Sequence, residues 1–169
     1  MEIGKLYSIR LYHSNEEFKG IVQSIGNEWI VLYQLFTDFM MDGYLLLKKE
    51  YINTIVHDEK NSFTEKVLLA KGVAFNRLNF DIPLDDTKAL FQWLKEREIV
   101  FMFSLRDTYA GHVGKISRIL PQSFYLHVLD VDGVWREELL YRINTVRSID
   151  FDSDYIKSLL MYCNSNLEK

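Results

Sequence analysis

Ile52-Asn53-Thr54-Ile55 occurs a second time in this chain, with one substitution, as Ile143-Asn144-Thr145-Val146. The two stretches lie 91 residues apart (143 − 52 = 91). A constant spacing between similar stretches is typical of a structural unit that is used more than once. Two further pairs keep the same spacing, namely Phe18-Lys19-Gly20 with Tyr109-Ala110-Gly111 and Leu68-Leu69 with Leu159-Leu160. The sequence therefore predicts one unit used twice.

The composition is that of an ordinary folded protein. Of 169 residues, 48% are hydrophobic and 26% are charged, whereas disordered chains combine low hydrophobicity with high net charge. The net charge is −4, and no segment carries an excess of lysine and arginine. Proteins that depend on phosphate contacts usually present a basic patch, so the composition lowers the expectation of nucleic-acid binding.

The N-terminus and the cysteine usage predict a cytoplasmic protein that does not enter a membrane. Cys163 is the single cysteine, so neither an internal disulfide nor a CxxC zinc site can form. Residues 1–5 lack the apolar core of a signal peptide. No apolar run approaches the roughly 18 residues that a transmembrane helix needs.

Each copy has the pattern of five short strands followed by a helix. A glycine lies in the second strand of each copy, Gly20 in the first and Gly111 in the second, and a glycine inside a strand often marks a sharp bend. Short strands joined by short turns favour a small barrel, which also removes exposed strand edges. We predict three domain segments, which are a first barrel with its helix (1–72), a connecting segment with a helix (73–98), and a second barrel with its helix (99–169).

Helices are predicted over 62–71, 85–97 and 153–163. The first would begin at Ser62-Phe63-Thr64-Glu65, which matches the S-x-x-E capping box. Gly72 is a suitable residue for ending it.

The turn after the third strand differs between the copies. In the first copy Phe39, Met40 and Met41 lie between Leu35 and Gly43, and either the strands extend through them or they form an exposed binding loop. In the second copy we predict a shorter turn at Asp130-Val131-Asp132-Gly133.

The two copies resemble the Sm-like variant of the SH3-like barrel. The first copy carries the likeness in Gly20-Ile21-Val22 with Ile25, Ile30-Val31-Leu32, Gly43, and Ile52 with Ile55; the second carries it in Gly111-His112-Val113 with Ile116, Phe124-Tyr125-Leu126, Asp130-Val131-Asp132-Gly133, and Ile143 with Val146. The tandem arrangement is similar to bacterial proteins of unassigned function. The resemblance implies a mainly β fold with short helices, built as two tandem Sm-like/SH3-like barrels from an internal repeat.

The same resemblance implies RNA binding as one possible function. The family commonly uses an Asp and an Asn after the third strand and an Arg-Gly signature before the fifth. Asp130-Val131-Asp132-Gly133 contains no asparagine, and neither Lys48-Lys49-Glu50-Tyr51 nor Leu140-Tyr141-Arg142 contains Arg-Gly. The asparagine and the Arg-Gly of the family's RNA pocket are thus missing from both copies.

Four histidines and a few acidic residues are the candidates for metal chemistry. His112 and His127 fall on neighbouring strands of the second copy and could bind a metal together with Asp130, although surface or core positions explain them too. Asp130-Val131-Asp132-Gly133 followed by Glu137-Glu138 has a partial likeness to a calcium loop, and a D-G turn is the alternative. The other two histidines are His13 and His57.

Two more residues merit separate interpretation. Trp135 could form part of a stacking platform, or it could be a barrel-rim residue that packs on the other copy. Cys163 lies on the apolar face of the last predicted helix, which favours a buried, inert thiol.

The sequence assigns no catalytic, metal-binding or cofactor-binding residue, and no cofactor. We predict an uncharacterised non-enzymatic binding module whose partner is most simply another protein. The alternatives are an RNA-associated Sm-like protein and a metal-dependent enzyme. The sequence contains no information on the oligomeric state.

Overall fold

The protein is described by a computed structural model that covers residues 1–12, 16–79, 81–106 and 111–167. These residues form ten strands and three α-helices, which confirms a mainly β fold with helices. The strands are β1 (Leu6–Leu11), β2 (Glu17–Ile25), β3 (Trp29–Thr37), β4 (Met40–Lys48), β5 (Ile52–Val56), β6 (Phe101–Leu105), β7 (Val113–Ile119), β8 (Ser123–Leu129), β9 (Trp135–Arg142) and β10 (Val146–Phe151). The helices are α1 (Glu59–Ala70), α2 (Thr87–Glu96) and α3 (Asp154–Leu167), and none of these helices is long and apolar enough to cross a bilayer.

All ten strands belong to one open antiparallel sheet with the order β5-β1-β2-β3-β4-β10-β6-β7-β8-β9. The first five strands of the chain form one half of the sheet, and the last five form the other. The halves meet where β4 pairs with β10, from Tyr44 opposite Phe151 to Leu47 opposite Ser148. We call this pairing the seam. Because the seam joins the halves edge to edge, this sheet does not confirm two separate closed barrels.

The two halves repeat each other at a spacing of 94 residues, and the predicted spacing of 91 is wrong. In the first half Ile9 lies opposite Ile55, and in the second half Phe103 lies opposite Ile149 (103 − 9 = 94 and 149 − 55 = 94). The bulges between β1 and β5 and between β6 and β10 fall at matching places.

The repeated tetrapeptide is therefore used in two different ways. Residues 52–55 lie in β5, whereas residues 143–145 form a single 3₁₀ turn whose counterpart is the turn Lys49–Tyr51. The backbone pairing shows the same relation, because Lys49 N donates to Glu28 O as Ile143 N donates to Gln122 O. A short β-branched stretch is compatible with either conformation, and the strand pairing decides between them.

Gly114, and not Gly111, is the structural counterpart of Gly20. A Cβ added to Gly20 would lie 2.6 Å from the carbonyl oxygen of Tyr33, and one added to Gly114 would lie 2.2 Å from that of His127. Both glycines let the second strand of a half cross closely over the third, which only a residue without a side chain permits. Gly111 precedes β7.

The turn after the third strand is not shorter in the second half, so that prediction is wrong: five residues lie between the paired residues Leu35 and Met41, and five lie between Leu129 and Trp135. Its left-handed residue is Phe39 in the first half, with φ 56°, and Gly133 in the second, with φ 73°. Met40 and Met41 belong to β4, which confirms that the strand extends through them.

Helix α1 begins earlier than predicted because Asp58 caps it, and the predicted capping box at Ser62 is wrong. Asp58 Oδ1 accepts from Asn61 N at 3.0 Å, and Asn61 Oδ1 accepts in return from Asp58 N at 3.3 Å. Ser62 lies inside the helix and donates to Asp58 O. The end is as expected, since Gly72 has φ 76° just beyond the last turn.

The two faces of the first half pack into different cores. One face forms a core from its own strands alone, with Ile9, Leu11, Val22, Ile30, Leu32, Leu45 and Leu47 fully or almost fully buried. The other face shares a larger core with α2 and the second half. The sheet therefore encloses one core within its first half and a second core between its halves.

The segment that carries α2 is part of the second core. Trp29 N donates to Leu84 O at 2.9 Å, and the indole Nε1 of Trp29 donates to the hydroxyl of Thr87 at 2.8 Å. From α2, Phe91 packs edge-on against Phe124 of the second half at a ring distance of 5.0 Å. This helix thus contacts both halves and fixes their relative position.

The seam is reinforced by a cap that crosses it. Asp42, at the start of β4, accepts a hydrogen bond from Asp154 N at 2.8 Å and so caps α3 of the other half. Gly43 beside it has φ 62°, and a Cβ there would lie 2.8 Å from the backbone of Ser153. The seam thus involves side-chain capping and close backbone approach as well as strand pairing.

Asp150 makes the seam sensitive to pH. Burial raises the pKa of this carboxyl to about 7, and the nearby charges of Glu16 and Asp42 add to the effect. Since the folded pKa lies above the ordinary 3.8, the folded state holds the proton more tightly than the unfolded state. The resulting loss of stability develops as the pH rises from about 4 to 7 and is complete above 7.

Asp150→Asn is therefore expected to raise the free energy of unfolding by about 2 kcal/mol at pH 8, with the gain disappearing toward pH 4. Chemical denaturation of both proteins across this pH range measures the difference. Asp38→Asn, at an exposed carboxylate, is the control and should change stability by less than about 0.5 kcal/mol at every pH. A gain from Asp150→Asn that does not vary with pH would contradict this account.

Candidate functional site

A cavity of about 780 Å³ lies on the first half of the sheet, between the strand face and α1. We call it the α1 groove. Its floor is formed by Leu6, Ser8, Arg10, Glu17 and Lys19 of β1 and β2, with Thr54 and Val56 of β5; its sides are formed by Leu35 to Phe39 and by Asp58, Lys60, Asn61 and Thr64. The groove thus combines an apolar patch of Leu35, Phe36 and Phe39, which we call the apolar wall, with a mostly polar lining elsewhere.

The corresponding face of the second half is closed by a helix. There Met102, Val113 and Leu129 pack against Ile156 and Cys163 of α3. At the spacing of 94, the counterparts of the three strand residues are Ser8, Lys19 and Leu35, and all three line the α1 groove. The second half thus covers this surface with a helix through apolar contacts. The first half leaves the same surface open and has the polar residues Ser8 and Lys19 on it.

The charges in the groove are mixed. Glu17 forms ion pairs with Lys19 at 3.0 Å and with Arg10 at 3.2 Å. The hydrogen bond from Lys19 lowers the pKa of Glu17 below its ordinary value against an opposing effect of burial, and the charges of Lys19 and Arg10 contribute. Lys60 is exposed and forms no ion pair with any described residue. Two cations thus share one carboxylate, and a third cation faces solvent.

The apolar wall carries backbone strain. Phe39 has φ 56°, a left-handed conformation that is uncommon for a bulky residue and that tends to occur at functional sites. Its ring packs on Phe63 of α1 at 6.1 Å, and its carbonyl accepts from Lys71 Nζ at 2.7 Å. Phe36 next to it is 70% exposed. The end of β3 and the turn after it thus each contribute one aromatic side chain to the lining of the groove.

A serine and a histidine meet at the start of α1, which the sequence did not predict. The hydroxyl of Ser62 lies 3.3 Å from Nε2 of His57, and Nδ1 of His57 lies 2.8 Å from Leu6 O. The Ser62 hydroxyl also donates to Asp58 O at 3.1 Å, and Glu65 accepts from Leu6 N at 2.7 Å. Because both Ser62 and Glu65 are engaged by backbone, we interpret this group as a structural tie between α1 and β1.

The structure separates the residues that were considered as metal ligands. His112 contacts the hydroxyl of Tyr141, whereas His127 packs on the ring of Trp135 at 4.8 Å. The described residues include no group of three side chains suited to hold a metal ion. His13 lies outside the described residues.

The acidic turn of the second half is tied to a cation of its own chain. Arg136 forms ion pairs with both Asp130 and Asp132. The same carboxylates also accept from the backbone of Val131 and Val134. These contacts support the D-G turn as the explanation of this stretch.

Trp135 and Cys163 both lie in the apolar cluster beneath α3. Trp135 packs within its own half, so the prediction that it contacts the other copy is wrong; Lys115 lies 5.7 Å from the centre of its ring. Cys163 is buried, as predicted. Neither residue faces the α1 groove.

A scan of protein-family models returned no match, and searches of curated proteins and of solved structures also returned none. Its function has to be argued from the geometry of its own surfaces.

Proposed function

We propose that the protein is a non-enzymatic binding module and that the α1 groove receives a segment of a partner protein. The observation that carries this proposal is the open groove itself, on a face that the other half closes with a helix. The lining is mixed, because Leu6, Leu35, Phe36, Phe39 and Val56 are apolar and the other lining side chains are polar or charged.

The charge balance of the groove favours protein over RNA. Arg10, Lys19 and Lys60 line it, but so do Glu17, Asp38 and Asp58. A phosphate backbone would meet as many anions as cations there, and nucleic-acid affinity depends on an excess of cations. A peptide segment can supply an apolar side chain for the wall and polar groups of either charge for the floor.

We also infer that each half of the sheet is a bent unit of the Sm-like type and that the protein is cytoplasmic. In support, the last strand of each half lies beside its first, and the first half contains a core formed by its own strands. This assignment concerns architecture, and the asparagine and the Arg-Gly that bind RNA in that family have no counterparts here.

The proposal is tested by selecting peptides from a random displayed library on the purified protein. Selected peptides should bind Phe36→Ser and Lys60→Glu at least about 10-fold more weakly than the wild type, because both side chains line the groove. Met161→Ser, at a highly exposed apolar residue of α3, is the matched control and should bind as the wild type does.

Calorimetric titration of the selected peptides gives the affinities. Peptides that bind all variants equally would place the site elsewhere on the protein. Short RNA that binds the wild type and is released by added salt, with no peptide selected, would replace the proposal by an RNA-associated function.

A further inference from the structure

The two halves of the sheet place the helix that follows their last strand in different positions. At the spacing of 94, Asp58 before α1 is the counterpart of Asp152 before α3. Asp152 is left-handed, with φ 61°, whereas Asp58 is extended, with φ −120°. Because the backbone differs at this point, the two helices leave their strands in different directions.

Helix α1 is held beside β1. Glu65 Oε1 accepts a hydrogen bond from Leu6 N at 2.7 Å. Asn61 Nδ2 donates to Ser8 Oγ at 3.3 Å. These contacts keep α1 at one side of the α1 groove, where its first turns contribute to the lining.

The strand surface beside α1 is left uncovered. Lys19 and Leu35 lie on this surface, and both are half-buried. Their counterparts in the second half, Val113 and Leu129, are buried in the cluster that contains the apolar face of α3. The first half thus leaves free a surface on which the second half places a helix.

The α1 groove has room for a helix in this place. A helix that is about 10 Å across occupies roughly 420 Å³ per turn. The groove volume of about 780 Å³ therefore corresponds to about two turns. In the second half, α3 makes its apolar contacts over a similar length, from Ile156 to Cys163.

The floor of the groove favours a helix over an extended segment. The floor is the face of a sheet in which β1 pairs with both β5 and β2, and β2 pairs with both β1 and β3. The backbone groups of these strands are engaged in the sheet. An extended segment lying on them would therefore bury its own N–H and C=O groups without partners, whereas a helix pairs those groups within itself.

Two charges of opposite sign lie on the two sides of the groove. Lys60 belongs to the α1 side, and Asp38 belongs to the turn after β3. Both are exposed, and neither forms an ion pair with any described residue. The charges of the floor are engaged with one another, since Glu17 pairs with both Arg10 and Lys19. An occupant of the groove is therefore expected to carry an acidic residue on one flank and a basic residue on the other.

We propose that the segment received by the α1 groove is an amphipathic helix of the partner protein, which lies beside α1. Its apolar stripe, with the spacing i, i+3, i+4 and i+7, packs on Leu35, Phe36 and Phe39. An acidic residue on the flank toward α1 meets Lys60, and a basic residue on the opposite flank meets Asp38. This inference rests on the proposed function, to which it adds the conformation and the charge pattern of the segment.

The test uses peptides of 14 residues, the length of α3, that are selected from a random displayed library on the purified protein. The selected sequences should share the apolar spacing, and circular dichroism should show a gain of helix on binding. Proline at a solvent-facing position in the middle of a peptide should weaken binding about 100-fold, because it breaks the helix. Alanine at the same position should leave the affinity unchanged.

Charge exchange tests the placement of the helix between the two sides. Lys60→Glu should weaken binding at least about 10-fold, and replacing the acidic residue of the peptide by lysine should restore it. Asp38→Lys should be compensated in the same way by a glutamate on the opposite flank. Lys66→Glu makes the same change as Lys60→Glu at an exposed residue of α1 outside the groove, and this matched control should bind as the wild type does.

Three results would count against the proposal, and they are distinguishable. Peptides that lose affinity for Phe36→Ser and yet tolerate the proline would overturn the helix, while the groove would remain the peptide site of the proposed function. Helical peptides that bind Lys60→Glu and Asp38→Lys as tightly as the wild type would overturn the charge pattern. Peptides that bind Phe36→Ser as tightly as the wild type would remove the proposed function together with this inference.

Discussion

Replacing either Gly20 or Gly114 by alanine is expected to lower the free energy of unfolding by about 3 kcal/mol or more. The added methyl group would lie 2.6 Å from Tyr33 O in the first case and 2.2 Å from His127 O in the second. These contacts involve backbone atoms of the neighbouring strand, so relief requires the paired strands to move apart. Denaturant unfolding of the two variants measures the loss.

Gly72→Ala provides the matched control. Its added methyl group would meet no atom within 4 Å, and the cost there comes only from the φ of 76°. We expect a loss of about 1 kcal/mol. If Gly20→Ala or Gly114→Ala cost no more than Gly72→Ala, the close crossing of the second and third strands would be incorrect in that half.

Phe91→Ala is expected to destabilise the protein by about 3–5 kcal/mol. Phe91 is completely buried and packs on Phe124, which in turn contacts Phe103 and Tyr141. Removing the ring leaves a cavity between α2 and the second half that the surrounding strands cannot close without breaking their pairing. The free energy of unfolding, again from denaturant titration, measures the effect.

Two comparisons separate packing from helix propensity. Phe91→Leu retains most of the volume and should cost less than about 1.5 kcal/mol. Phe63→Ala, at an exposed position of α1, should change stability by only about 0.5 kcal/mol. A similar loss at Phe63 and Phe91 would mean that α2 is a linker helix without a place in the shared core.

The composition and the alternation of apolar residues predict the mainly β fold, the number of strands and the approximate position of each helix. They do not predict the register. The tetrapeptide at Ile52 and Ile143 is a real sequence repeat, yet one copy lies in a strand and the other begins in a turn. Bulges shift pairing by one residue at a time, and a bulge is determined by tertiary contacts that a local pattern does not contain.

The α1 groove illustrates the same limit for function. Its residues come from β1, β2, β3, β5, α1 and the turn that contains Phe39, so no single stretch of sequence indicates it. The sequence does contain one signal for the groove. Ser8 and Lys19 are polar, whereas the residues at the corresponding positions of the second half, Met102 and Val113, are apolar. That signal can be recognised only at a spacing of 94, and the visible repeat at 91 hides it.

The pairing of β4 with β10 is the central claim, because the continuous sheet and the cap from Asp42 both depend on it. Nuclear Overhauser contacts between backbone protons across this seam test it most directly. We expect them between Leu46 and Ile149 and between Tyr44 and Phe151, which are paired residues. Their absence, together with contacts from β4 to β5 of its own half, would show two separately closed barrels and contradict this account.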